Sequence, residues 1–267
     1  MGGLVRFLAL AKASLLTARR YRIDWYGNVL VPVLTVVPVI IALWYGKKIG
    51  LGDILGTENY FEYYILGIAY WNYVEVVWSS IFVLRYYMRT DQLEDMLLTP
   101  LTPLEYILGW SLLGIAVTTV TSLPLVALAV IMGLIGATVS EVAVSVVVFL
   151  LSITASFGLA YLIFGLTLVI REGDEVVSLI GNMAPLIGGL YFPITLLPGP
   201  LRHLSYAFPF TWGVDVLRAL LTGSRPIFGV REELLILFAL TLLYLTLGVL
   251  SYKFLERTMR RKGIQGF

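Results

Sequence analysis

Six stretches of this sequence are apolar enough, and long enough or nearly so, to lie across a lipid bilayer. A hydrocarbon core of ~30 Å takes about 20 apolar residues as a helix. The stretches are Val29–Tyr45, Tyr63–Leu84, Tyr106–Ala137, Val142–Ile170, Val176–Leu197 and Leu234–Phe254. Val29–Tyr45 is at the short limit and carries Pro32 and Pro38. Val142–Ile170 contains no charged residue, and Tyr63–Leu84 holds one acid, Glu75. In lipid every backbone amide must be satisfied within the protein. Stretches of this length therefore read as six helices of an all-α integral membrane protein. The third and fourth exceed what the bilayer requires, so they should tilt or project into water.

Composition narrows the function classes. Charged residues make up 13% of the chain, against roughly a quarter in an ordinary soluble domain, and 59% of residues are hydrophobic. That excludes a soluble globular enzyme and a disordered chain. A formal net charge of +2 excludes a nucleic-acid binder. The absence of cysteine removes disulfides, thiolate nucleophiles and Cys-metal sites, and a single histidine, His203, removes the usual triad and metal chemistries.

The lysines and arginines set the orientation. With the N-terminus cytoplasmic, the inside holds Arg6, Lys12, Arg19, Arg20, Arg22, Arg85, Arg89, Arg171, Lys253, Arg257, Arg260, Arg261 and Lys262. The outside holds only Lys47, Lys48, Arg202, Arg218, Arg225 and Arg231. Both termini are expected in the cytoplasm. Ahead of the first span, Leu4, Phe7, Leu8, Ala11, Leu15 and Ala18 share one helical face. Residues 1–27 read as an interfacial helix and turn on the inner leaflet. No repeat, linker or second soluble domain interrupts residues 1–267.

Two segments are not simple spans. Between spans two and three, Thr90 can cap a short helix, with Asp91, Glu94 and Asp95 near its positive end. Leu93, Met96, Leu97 and Pro100 follow at i, i+3, i+4, i+7. Residues 90–100 are either a solvated capped turn or a knob that fits a partner's groove. Between spans five and six, Pro193, Pro198, Pro200 and Pro209 break an apolar segment that also carries Arg202, His203, Asp215 and Arg218. Residues 199–225 read as two short helices dipping back into the membrane, which lipid tolerates only where protein or a water-filled cavity surrounds them. Asp215 and Arg218 are spaced i, i+3 and could pair.

These segments resemble type-2 ATP-binding-cassette exporter permeases, the group of daunorubicin-resistance-type and polysaccharide exporters. The resemblance rests on Leu93-Glu94, Leu97, Thr99-Pro100 and Gly109, then Gly189, Phe192-Pro193, Leu197-Pro198, Pro209, Val214 and Arg218. Asp91-Gln92 departs from the family's Gly-Thr. The resemblance covers nearly the whole chain. It implies a single permease domain in a prokaryotic plasma membrane. It also implies a cytosolic ATPase subunit docking on Thr90, Asp91, Leu93, Glu94, Leu97 and Pro100. The chain has no G-x-x-x-x-G-K-[S/T] loop. ATP and Mg²⁺ therefore belong to that partner, with no cofactor in this chain, and the permease is not itself an enzyme. Six spans are fewer than the twelve such exporters use, so the resemblance also implies a second copy, a homodimer or close heterodimer, with the pathway between copies and the re-entrant pair as outer gate.

Candidates for the cargo path or gate are Tyr70, Trp71, Tyr73, Glu75, Phe192, Pro193, Pro198, Pro209 and Arg218. A carboxyl inside a span is costly, so Glu75 faces a cavity or a partner, or bonds another helix. Tyr70, Trp71 and Tyr73 suit either a sugar or a greasy drug. Largely aliphatic spans favour amphipathic or lipid-like cargo. The competing reading is an ion- or proton-coupled carrier working without an ATPase.

Overall fold

The computed structural model describes residues 60–89, 103–133, 135–167 and 173–262, with positions 41, 44–46, 48 and 50. The expected interfacial helix, most of span one and the 90–100 segment lie outside the described residues. Within them the chain is all-α. The elements are α1 Tyr60–Arg89, α2 Pro103–Ile131, α3 Val139–Thr167, α4 Gly173–Ile187, a 3-10 turn Ile194–Leu196, α5 Gly199–Ser205, α6 Pro209–Thr222 and α7 Val230–Lys262.

Three helices among the described residues are long and apolar enough to cross a membrane: Leu108–Ile131, Val139–Gly165 and Val230–Phe254. They expose aliphatic side chains such as Val120, Leu123, Val147, Leu150, Leu242 and Leu250. In water such a surface would aggregate; in lipid it is solvated. This is a multi-pass membrane protein. α1 has the length to cross but is more polar, carrying Asn72, Glu75 and many tyrosines.

Two boundaries differ from the sequence expectation. The third apolar stretch does not run to Ala137 as one helix. It stops at Ile131, where Gly133 takes φ 67°. Thr138 and Glu141 then start α3 reciprocally. The Glu141 carboxylate accepts from Thr138 N at 2.6 Å, and Thr138 Oγ1 accepts from Glu141 N at 3.4 Å. That Thr-x-x-Glu capping box is written in the sequence and outweighs the apolar run across it. The fifth stretch, Val176–Leu197, is not one helix either. α4 ends at Ile187, and Gly189 follows at φ 73°. A residue with a side chain would be strained there, so the chain turns out of the helix.

α3 is the central helix. It packs along α7 and α6 and touches α1, while α2 lies against α1. The buried core joins Tyr70, Trp71, Val74 and Trp78 of α1, Ile153 and Phe164 of α3, Phe210 and Trp212 of α6, and Leu237 of α7. α6 is thus part of the packed interior of the described residues. Every residue from Pro209 to Arg218 is buried.

Candidate functional site

The irregular chain between α4 and α6 leaves carbonyl groups without helical partners. Buried groups of this kind cost free energy unless something donates to them. Two arginines do so. Arg202 on α5 donates through Nε to Ile194 O at 3.3 Å, and through Nη2 to Leu197 O at 3.3 Å and to Thr195 O. This ties α5 to the 3-10 turn. Ser205 adds a bond to Ile187 O at 2.5 Å.

Arg218 does more. Its side chain is 1% exposed. Nη1 donates to Gly189 O at 2.9 Å and Nη2 to Leu190 O at 2.7 Å. Nε and Nη2 reach Tyr63 O at 3.2 and 2.8 Å. The guanidinium also lies 3.3 Å from the centre of the Tyr63 ring, a cation–π stack. Tyr63 Oη in turn donates to Gly189 O at 2.8 Å. One side chain of α6 therefore fastens the N-terminal end of α1 to the chain leaving α4. The carbonyls beyond a helix C-terminus are its negative pole, which is where a cation is favoured.

The hub needs a close approach of backbones. A Cβ on Gly67 would overlap Leu190 O and stand 2.6 Å from Arg218 Nη2. Gly67→Ala is expected to force α1 away and destabilise the protein by about 1–3 kcal/mol. Thermal unfolding in detergent checks this. Gly181→Ala, whose added Cβ meets nothing within 4 Å, is the control and should not lower the midpoint.

The sequence candidates fall into two groups. Tyr70 and Trp71 face the interior of the single chain. Tyr70 Oη bonds Ser152 Oγ, and Trp71 meets Phe210 edge-on at 6.0 Å. Pro209 is buried at the start of α6, and Pro193 and Pro198 cap the 3-10 turn and α5. Phe192 is half-buried in the same crossing. Tyr73 is half-buried, with its ring on Phe149 and its hydroxyl 3.3 Å from Thr119 Oγ1. Glu75 is exposed midway along α1 and makes no hydrogen bond among the described residues. Asn182, one conceivable partner for it, bonds Ser178 instead, at 3.4 Å. Thr90, Asp91, Leu93, Glu94, Leu97 and Pro100 lie outside the described residues.

The expected Asp215–Arg218 pair does not form an ion pair among the described residues. Arg218 turns to carbonyls, and Asp215 turns toward α7. Its Oδ2 accepts from Ile227 N at 2.8 Å, and Glu233 Oε1 accepts from the next amide, Phe228 N, at 2.8 Å. Sequence reasoning missed Glu233, since nothing local separates it from its exposed neighbour Glu232. It also missed Tyr63 as a partner of Arg218.

The family described as ABC-2 family transporter protein matches residues 53–250. That is well over half the chain. The chain belongs to the ABC-2 transporter family. It is a type-2 ATP-binding-cassette permease, the transmembrane component of such a transporter. No curated protein matches it at a significant level. The matched region of this ABC-2 permease takes in the 90–100 segment, the Arg218 hub and helices α5 and α6.

Proposed function

We propose that this ABC-2 permease is the transmembrane half of an ATP-driven exporter of amphipathic, lipid-like or drug-like molecules. It has six spans, counting the Val29–Tyr45 stretch, α1 and α4. A separate cassette ATPase grips residues 90–100 from the cytoplasm, through Leu93, Leu97 and Pro100 on the stripe and Thr90, Asp91 and Glu94 at the helix start. ATP and Mg²⁺ act in that partner. Two permease copies enclose the pathway. The membrane is the plasma membrane of a prokaryote, and both termini are cytoplasmic.

The observation that carries this reading is the Arg218 hub. It links α1, the span that leads directly into the 90–100 segment, to α4 and to the hairpin. When ATP draws the two ATPases together, α1 is pushed from its inner end. A shift of α1 relative to α4 loads the bonds that Arg218 makes to Tyr63 on one side and to Gly189 and Leu190 on the other. The α5–α6 hairpin then moves as the outer gate. ATP biases this equilibrium only through its higher affinity for the closed ATPase pair. Glu75, exposed halfway along α1, faces the partner copy or a watery path, because an unpaired carboxylate against lipid costs about 3 kcal/mol even on insertion scales. A polysaccharide or glycolipid cargo remains the variant within this reading.

The test is reconstitution of the permease with its cassette ATPase in proteoliposomes, followed by efflux of a fluorescent amphiphile. Efflux that requires both ATP and the ATPase is expected. Solute movement by the permease alone, driven by an ion gradient, would replace this reading with the carrier.

A further inference from the structure

The loop 223–229 joins the gate helix α6 to α7, and two carboxyl groups hold it. Asp215 from α6 takes the amide of Ile227, and Glu233 from α7 takes the amide of Phe228. Ile227 and Phe228 are neighbours in the chain, so the two carboxyls hold adjacent amides of one loop and act on each other electrostatically. Asp215 is 8% exposed and Glu233 is 0% exposed. The second oxygen of Glu233, Oε2, is buried and has no hydrogen-bond partner among the described residues.

Two ionised carboxylates cannot rest there cheaply. Each would be desolvated, each would repel the other, and Oε2 would be a bare buried negative charge. The surroundings offer little compensation. On α6 the nearby charge is Arg218, one guanidinium whose hydrogen bonds all go to carbonyls. α1 contributes the Tyr63 phenol. α3 packs on both helices, and its one charged side chain, Glu141, is exposed and held by Thr138. Arg225 in the loop and Arg231 and Glu232 on α7 are exposed. A single proton resolves every term. A protonated acid can donate where a carboxylate cannot, the repulsion disappears, and one carboxylate remains to balance Arg218.

We infer that Asp215 and Glu233 form a proton-binding site, in which one shared proton clasps the outer hairpin to the outer end of α7. Raising the pH on that side takes the proton to bulk water. The two carboxylates then repel, and the α6–α7 junction loosens. The site belongs to this chain alone and depends on neither cargo nor ATPase.

Infrared spectroscopy of the purified full-length chain in detergent reads the proton directly. A protonated-carboxyl carbonyl band is expected at neutral pH, shifted in D₂O and removed by alkaline titration. It should be lost in Glu233→Gln, in which the amide donates in place of the acid, and it should persist in Glu75→Gln. Asp215→Asn gives the same subtraction from the other side should Glu233→Gln not accumulate. The absence of cysteine supplies a second readout. Maleimide labelling of Ser224→Cys, corrected for thiolate fraction with a free peptide, should accelerate over the same alkaline range. In Glu233→Gln that corrected rate should be flat with pH. A band unchanged in both variants, or matching labelling profiles with and without Glu233, overturns the inference.

Discussion

Arg218→Met is expected to cost about 3–5 kcal/mol of stability, the range for removing one partner from a buried, fully hydrogen-bonded charged cluster. Methionine fills similar space but donates nothing. The carbonyls of Tyr63, Gly189 and Leu190 then lose their Arg218 donor in a buried crossing, and Gly189 O keeps the bond from Tyr63 Oη. The α6 core, including Phe210 and Trp212, should lose its fixed position. The measurable result is loss of the monodisperse peak in detergent size exclusion and a thermal midpoint many degrees lower. Arg218→Lys should fall between. It keeps the charge but replaces a planar fork with a point donor. An Arg218→Lys variant as stable as wild type would refute the claim that the fork geometry holds α1 and α4 together.

Leu97→Asp is expected to abolish co-purification of the cassette ATPase, leaving the permease itself folded and in the membrane. On the proposed docking helix the spacing of Leu93, Met96, Leu97 and Pro100 would make an apolar ridge, and a carboxylate at its centre would have to be desolvated in a partner's groove. Asp95→Asn, off the ridge, should retain binding. Affinity pull-down of the ATPase, with the permease amount held equal, separates the two. Normal recovery with Leu97→Asp would remove residues 90–100 as the docking element.

Much of the architecture was legible in the chain. Lipid supplies no hydrogen bonds, so long apolar stretches had to be helices. Pro198 and Pro209 marked the starts of two short helices, because proline is well placed at or just before the first turn. Boundaries were less legible where composition stayed apolar through a turn, as at Gly133 and Gly189. There the backbone turn itself, not hydropathy, ends the helix. The aromatic cluster of α1 was visible too, but its destination was not. Helical periodicity gives Tyr70 and Trp71 a common side without saying whether it meets α3 and α6 or a passing substrate.

The sequence by itself determined the solvent, the helical class, the two short helices and the family. These follow from local chemistry: apolar runs, proline spacing and the order of short motifs. Only the tertiary structure decided where the buried charges go. Arg218 sits three residues from Asp215, and local spacing favours that pair, yet its partners lie 28 and 155 residues away. The carbonyls of Gly189 and Leu190 beyond the end of α4 take the guanidinium, and Arg218 reaches them only once α1, α4 and α6 have come together. The same assembly left Asp215 facing Glu233, a meeting that no local pattern encodes.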